Sequence, residues 1–151
     1  MVSKAMASNQ SLYDRDFYAW ANEQASLLRA GKFTEADIPN IAEEIESMGR
    51  GEKRELVNRL AVLLLHLLKW KYQPMRQSKS WQLTVKEQRL RLRSHLKDNP
   101  SLKPHLDDAL AEAFEIGLVK VQAETGFEPE SFPVVCPWPL AKVMEQDWLP
   151  E

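Results

Sequence analysis

The 151-residue chain carries twenty Lys and Arg against twenty-two Asp and Glu, with 44% hydrophobic and 28% charged residues. It is too apolar for a disordered polymer, and long enough to bury about 70% of its unfolded surface without disulfides or structural metals. A single cysteine, Cys136, excludes an internal disulfide and points to the reducing cytoplasm. The opening MVSKAMASNQS has no apolar signal-peptide stretch, and the longest apolar run, Leu60 to Leu68, is broken by His66 and flanked by Arg59 and Lys69. No membrane association is expected.

In chain order, residues 1–10 are polar and aperiodic and read as a disordered tail, leaving 11–151 as one all-α domain. Ser11 with Asp14 resembles a capping box. Phe17, Trp20, Gln24, Leu27 and Leu28 then recur at helical spacing until Gly31, giving a helix over about 13–30. Asp37-Ile38-Pro39 is a second start signal. Ile38, Ile41, Ile45 and Met48 make one apolar face that stays in phase with Leu56, Leu60, Leu63, Leu67 and Trp70. Gly49-Arg50-Gly51 is a candidate break, so one long helix and two shorter ones are both open.

Val62 and Leu65 lie away from this stripe. The segment is therefore more apolar than one face requires, and is buried on several sides or shared with a second subunit. Gln73-Pro74 ends it. Ser80 is the expected cap of a helix with Trp81, Val85, Gln88, Leu92 and Leu96 on one face, stopped at Asn99-Pro100. Ser101 is the expected cap of the next, with Leu106, Leu110, Ala113, Phe114 and Gly117 inside and an end at Thr125-Gly126. Five prolines then punctuate an extended wrap, followed by a short helix from Pro139 to about Gln146. The expected architecture is an all-α, compact bundle of about five helices around a long central one.

Several short words resemble a bacterial family, Domain of Unknown Function 29. They are Tyr13-Asp14-Arg15-Asp16-Phe17-Tyr18-Ala19-Trp20, Glu43-Glu44-Ile45-Glu46-Ser47-Met48-Gly49, His66-Leu67-Leu68-Lys69-Trp70, Tyr72-Gln73-Pro74 and Ser78-Lys79-Ser80-Trp81. Further along come Gln88-Arg89, Pro100-Ser101-Leu102-Lys103, Glu124-Thr125-Gly126, Phe132-Pro133, Cys136-Pro137-Trp138 and Trp148-Leu149-Pro150. Ile38-Pro39 departs from the leucine- and acid-rich approach expected before the second helix. The resemblance implies a small α-helical cytoplasmic protein and no activity.

Charge is unevenly placed. Between Lys69 and Lys97 lie nine basic residues and only Glu87, leaving eleven basic and twenty-one acidic residues elsewhere. Lys69, Lys71, Arg76, Lys79, Lys86, Arg91 and Arg93, interleaved with Trp70, Tyr72 and Trp81, are candidate nucleic-acid-binding residues, because cations hold phosphates and aromatic rings stack on bases. The competing expectation is that both tryptophans face the core and the cations pair with acidic helices.

His66, Glu46 and Arg89 are the candidate acid/base set, since a histidine and a shifted carboxylate do such work near neutral pH. The same groups also suit a buried hydrogen-bonded strut. Glu43-x-x-Glu46, Glu52-x-x-Glu55 and Glu112-x-x-Glu115 have metal-ligand spacing, but no histidine follows a Glu by three, and His95 and His105 are expected near solvent or helix ends. No metal and no cofactor are therefore expected. Phosphate loops, nucleophile elbows and Cys-x-x-Cys pairs do not occur. The leading functional expectation is a non-enzymatic interaction or regulatory protein that binds protein or self-associates.

Overall fold

The computed structural model describes residues 11–151; the tail expected at 1–10 lies outside the described residues. Six α-helices and no strand occur among the described residues: α1 Leu12–Arg15, α2 Phe17–Arg29, α3 Ile38–Tyr72, α4 Lys79–Asp98, α5 Leu106–Thr125 and α6 Leu140–Val143. Two compact units divide at Arg50 and Gly51.

In the first unit the expected single helix is broken. Asp16 leaves helical geometry, and its carboxylate accepts from Ala19 N at 3.1 Å, so Asp16 caps α2. Ser11 spends its hydroxyl on the Asp14 carboxylate and caps nothing. At the other end Lys32 N bonds Leu27 O and Gly31 N bonds Leu28 O, with Gly31 at φ +74°. This is the paired closure that a left-handed glycine allows after a helix.

Only Trp20 and Gln24 are buried in α2, and the unit is joined chiefly through polar groups. Trp20 Nε1 donates to Asp37 Oδ2 at 3.0 Å, Asn40 Nδ2 donates to the same oxygen at 2.8 Å, and Gln24 Oε1 accepts from Asp37 N at 2.7 Å. The Tyr13 hydroxyl donates to Glu44, which pushes the phenol pKa up to about 12. Tyr13, Phe17 and Trp20 pack ring against ring, with Tyr13 and Trp20 centroids 4.7 Å apart.

Helix α3 runs unbroken through Gly49 and Gly51 for 35 residues and ends at Tyr72, as Gln73-Pro74 requires. Its apolar residues do not behave alike along its length. In the second unit Leu56, Leu60, Leu63, Leu64, Leu67 and Leu68 are completely buried, and Leu65 nearly so. Of the two explanations for this over-apolar stretch, burial on several sides within the chain is the one that applies there. Leucines at every helical angle are covered because α4 contributes Val85, Leu92 and Leu96, α5 contributes Ala109, Ala113, Phe114 and Val121, and the tail contributes Phe132 and Val143.

Three local expectations change. Ser78, not Ser80, caps α4 by accepting from Trp81 N at 3.2 Å, because its extended backbone holds the hydroxyl over the first turn. Ser101 falls within a 3-10 turn, Pro100–His105, since two prolines in five residues withhold backbone donors, and α5 begins only at Leu106. The final helix is one turn, Leu140–Val143. The wrap is pinned by aromatic edges, with Tyr72 against Phe132 at 5.1 Å and Trp138 against Trp148 at 5.8 Å.

Candidate functional site

Two features of the described residues stand out: an uncovered apolar stripe in the first unit and a basic cavity in the second. The stripe follows from helical phase. Asp37, Asn40 and Glu44 recur at i, i+3 and i+7; Asp37 and Glu44 meet α2 and α1 through the bonds above, and Asn40 braces Asp37. Ile38, Ile41, Ile45 and Met48 are offset from them by about a quarter turn at 100° per residue. They make the apolar face expected of this segment, in phase with the buried leucines. Instead Ile38 is 50% exposed, Ile45 58% and Met48 65%, with Ile41 half-buried, because the polar side of the helix takes the intramolecular contacts.

The cavity, about 280 Å³, is built on one face of α4. Gln82, Lys86, Arg89 and Arg93 recur at i, i+4, i+7 and i+11, with Leu83 and Val85 beside them and Gln146, Asp147 and Leu149 of the tail opposite. Arg89 is only 2% exposed. Its Nε donates to Val143 O at 2.8 Å, but Nη2 is buried with no hydrogen-bond partner among the described residues. Burial, and next the like charge of Arg93, lower the Arg89 pKa, while Asp147 and Glu145 oppose this. A guanidinium nonetheless stays charged in proteins. A buried donor without an acceptor costs about 1–3 kcal/mol, and more when charged, so Nη2 is an unmet demand for an oxygen. Asp147 sits on the rim with a left-handed backbone, φ 66°.

A third cluster joins His95 to the start of the second unit. His95, expected near solvent or a helix end, lies in the last turn of α4 and is 8% exposed; its Nε2 meets Glu52 O at 2.9 Å, and its ring lies 3.5–3.6 Å from the Glu55 and Glu52 carboxylates. Helix phase explains the burial, since His95 follows Leu92 by three and shares its inward face. These three side chains have the grouping of metal ligands. However, Nε2 is engaged with a backbone carbonyl and Arg59 Nε holds Glu55 at 3.0 Å, so the cluster is a hydrogen-bonded joint.

Residues 12–149 match the family model described as Domain of unknown function DUF29. The chain belongs to this family. No curated protein and no solved structure matches it. Membership brings no assigned chemistry, so the remaining candidates stand on their own geometry.

His66 is half-buried, and Nδ1 lies 2.8 Å from Val62 O. Since that carbonyl can only accept, Nδ1 carries the proton. Burial is the main cause lowering the His66 pKa, with Lys69 acting the same way and the Val62 bond and Glu124 opposing. His66 does not line the Arg89 cavity, and Glu46 is exposed in the first unit.

Of the basic candidates, Lys69 is sequestered: Nζ bonds Glu124 at 2.9 Å and stands 4.7 Å over the Trp81 ring, with the side chain 12% exposed. Arg91 pairs with Glu87 at 2.7 Å, and Lys71 reaches Glu151 O at 3.4 Å. Arg76, in the turn after α3, and Lys79, the first residue of α4, are exposed. Lys86 and Arg93 are the two that share a cavity. Their i, i+3 and i+7 spacing with Arg89 was a legible signal for one cationic face; the tail residues that close the cavity carry no sequence mark of that role.

Proposed function

We propose that this chain is a non-enzymatic interaction protein that self-associates through the Ile38–Met48 face of α3. The observation carrying this reading is the exposure of Ile38, Ile45 and Met48 on a well-formed helix. Contiguous apolar surface on a soluble chain marks docking sites. The intervals Ile38, Ile41, Ile45, Met48 are three, four and three residues, the spacing of a coiled-coil seam, and such a seam is complementary to a second copy of itself.

Site-directed cross-linking tests this. In a Cys136→Ala background, Ile45→Cys is expected to oxidise to a disulfide-linked dimer far faster than Glu46→Cys, which is exposed one residue on, about 100° round the helix. Equal rates at the two positions, or no dimer at either, would contradict the reading.

A further inference from the structure

Independently of that surface, we infer that the cavity between α4 and the tail is a binding site for a small phosphomonoester, held by Arg89, Lys86 and Arg93. Three observations meet there. Arg89 lines the cavity although it is almost wholly buried, and its Nε is fixed on Val143 O. The guanidinium is thereby oriented before any ligand arrives. Lys86 and Arg93 stand one turn before and one turn after it on the same helix face and line the same cavity. Against these three cations the wall offers one carboxylate, Asp147, so the empty cavity holds a net charge of about +2. A fork of guanidinium donors flanked by point charges suits the oxygens of a phosphate monoester, which carries about −1.5 to −2 at neutral pH.

A monocarboxylate would leave part of that charge unmatched. A nucleic-acid strand would need an open track of cations, whereas Lys86, Arg89 and Arg93 alone line the cavity, and Lys69 and Arg91 are paired with Glu124 and Glu87. The size and the remaining wall define the organic part. About 280 Å³ lies just below the roughly 300–1,000 Å³ typical of drug-sized ligands. Leu83, Val85 and Leu149 make an apolar side for a short carbon body, and Gln82 and Gln146 offer amides to its hydroxyl groups. The ligand class is thus a phosphate ester of a few carbons.

Calorimetric titration of the full chain with glycerol 3-phosphate and with inorganic phosphate, at fixed ionic strength, tests the assignment. The expected result is saturable binding of one molecule per chain with Kd below about 1 mM. Lys86→Gln and Arg93→Gln, both exposed positions, are expected to keep the unliganded melting temperature and to weaken binding at least about tenfold, the scale of one lost charge-assisted contact. Arg91→Gln, on the same helix but outside the cavity, is expected to leave Kd unchanged. The inference is overturned by any of four outcomes: no saturation at about 10 mM ester; acetate binding as tightly as phosphate; an equal loss in Arg91→Gln, which would mean diffuse attraction; or single-stranded DNA of twenty nucleotides binding more tightly per site than the ester.

Discussion

At the scale of single residues, the buried polar groups do different work from what their identities suggest. His66 is a neutral imidazole donating Nδ1–H to Val62 O within its own helix. Its pKa is lowered by burial, so as pH falls the unfolded chain takes up this proton before the folded one does. Its contribution is unchanged at pH 7.5 and becomes destabilising as pH drops through about 6.5, the unfolded value. Melting temperature measured between pH 7.5 and 5.5 is therefore expected to fall more steeply in the wild type than in His66→Asn. A shallower fall in the wild type would place a favourable charge on the folded ring and contradict the assignment. At pH 7.5 His66→Ala is expected to cost about 1–2 kcal/mol for the lost contact and packing; an unchanged melting temperature would remove the structural role. Neither the tautomer of His66 nor the orphan nitrogen of Arg89 was legible in the sequence. Both depend on atoms brought from other turns or other elements, and a one-dimensional pattern carries no such distances.

At the scale of elements, the sequence announced most of the fold and mistook one face. Helix ends with strong chemistry were readable: Gln73-Pro74 stops α3, and Gly126 closes α5 in the left-handed region, φ +73°. Hydroxyl caps were not, because Ser78 and Ser80, like Ser11 and Asp16, are near-equal candidates until the backbone selects one. The apolar stripe of α3 is in phase from Ile38 to Trp70, yet only the part from Leu56 onward is buried. Periodicity reports that a face is apolar, not what covers it.

Gly117 of α5 shows how closely the covered part is packed. A methyl group there would meet Ala61 O and Leu64 Cβ at 3.6 Å and Leu65 N at 3.7 Å. These are ordinary contact distances, so Gly117→Ala is expected to be neutral or to gain up to about 1 kcal/mol in helix propensity. Gly117→Val has no such room and is expected to lose about 1–3 kcal/mol through overpacking against α3. Chemical denaturation of the two variants checks this; equal stability would mean that the helices yield at this point.

For the whole chain, the charge asymmetry seen in the sequence resolves into separate tasks. Part of the basic segment is neutralised by Glu124 and Glu87, part flanks a cavity, and Arg76 and Lys79 are left to solvent. Exposed ion pairs of this kind are worth only about 0–1 kcal/mol, so they do not explain the fold. Stability of the second unit rests on its leucine core, and there Leu64→Ala is expected to cost about 2–5 kcal/mol. Among its described residues the first unit buries only Trp20 and Gln24, and its Ile38–Met48 face is largely exposed. On the proposed function, a chain with one well-filled unit and one exposed apolar face is completed by association. Sedimentation equilibrium across a hundredfold range of concentration tests this most directly. The wild type is expected to pass reversibly from 17.4 kDa toward twice that mass, and Ile45→Glu to remain monomeric with the same melting temperature. A wild type that stays at the monomer mass throughout, or an Ile45→Glu variant that associates equally well, would contradict the account.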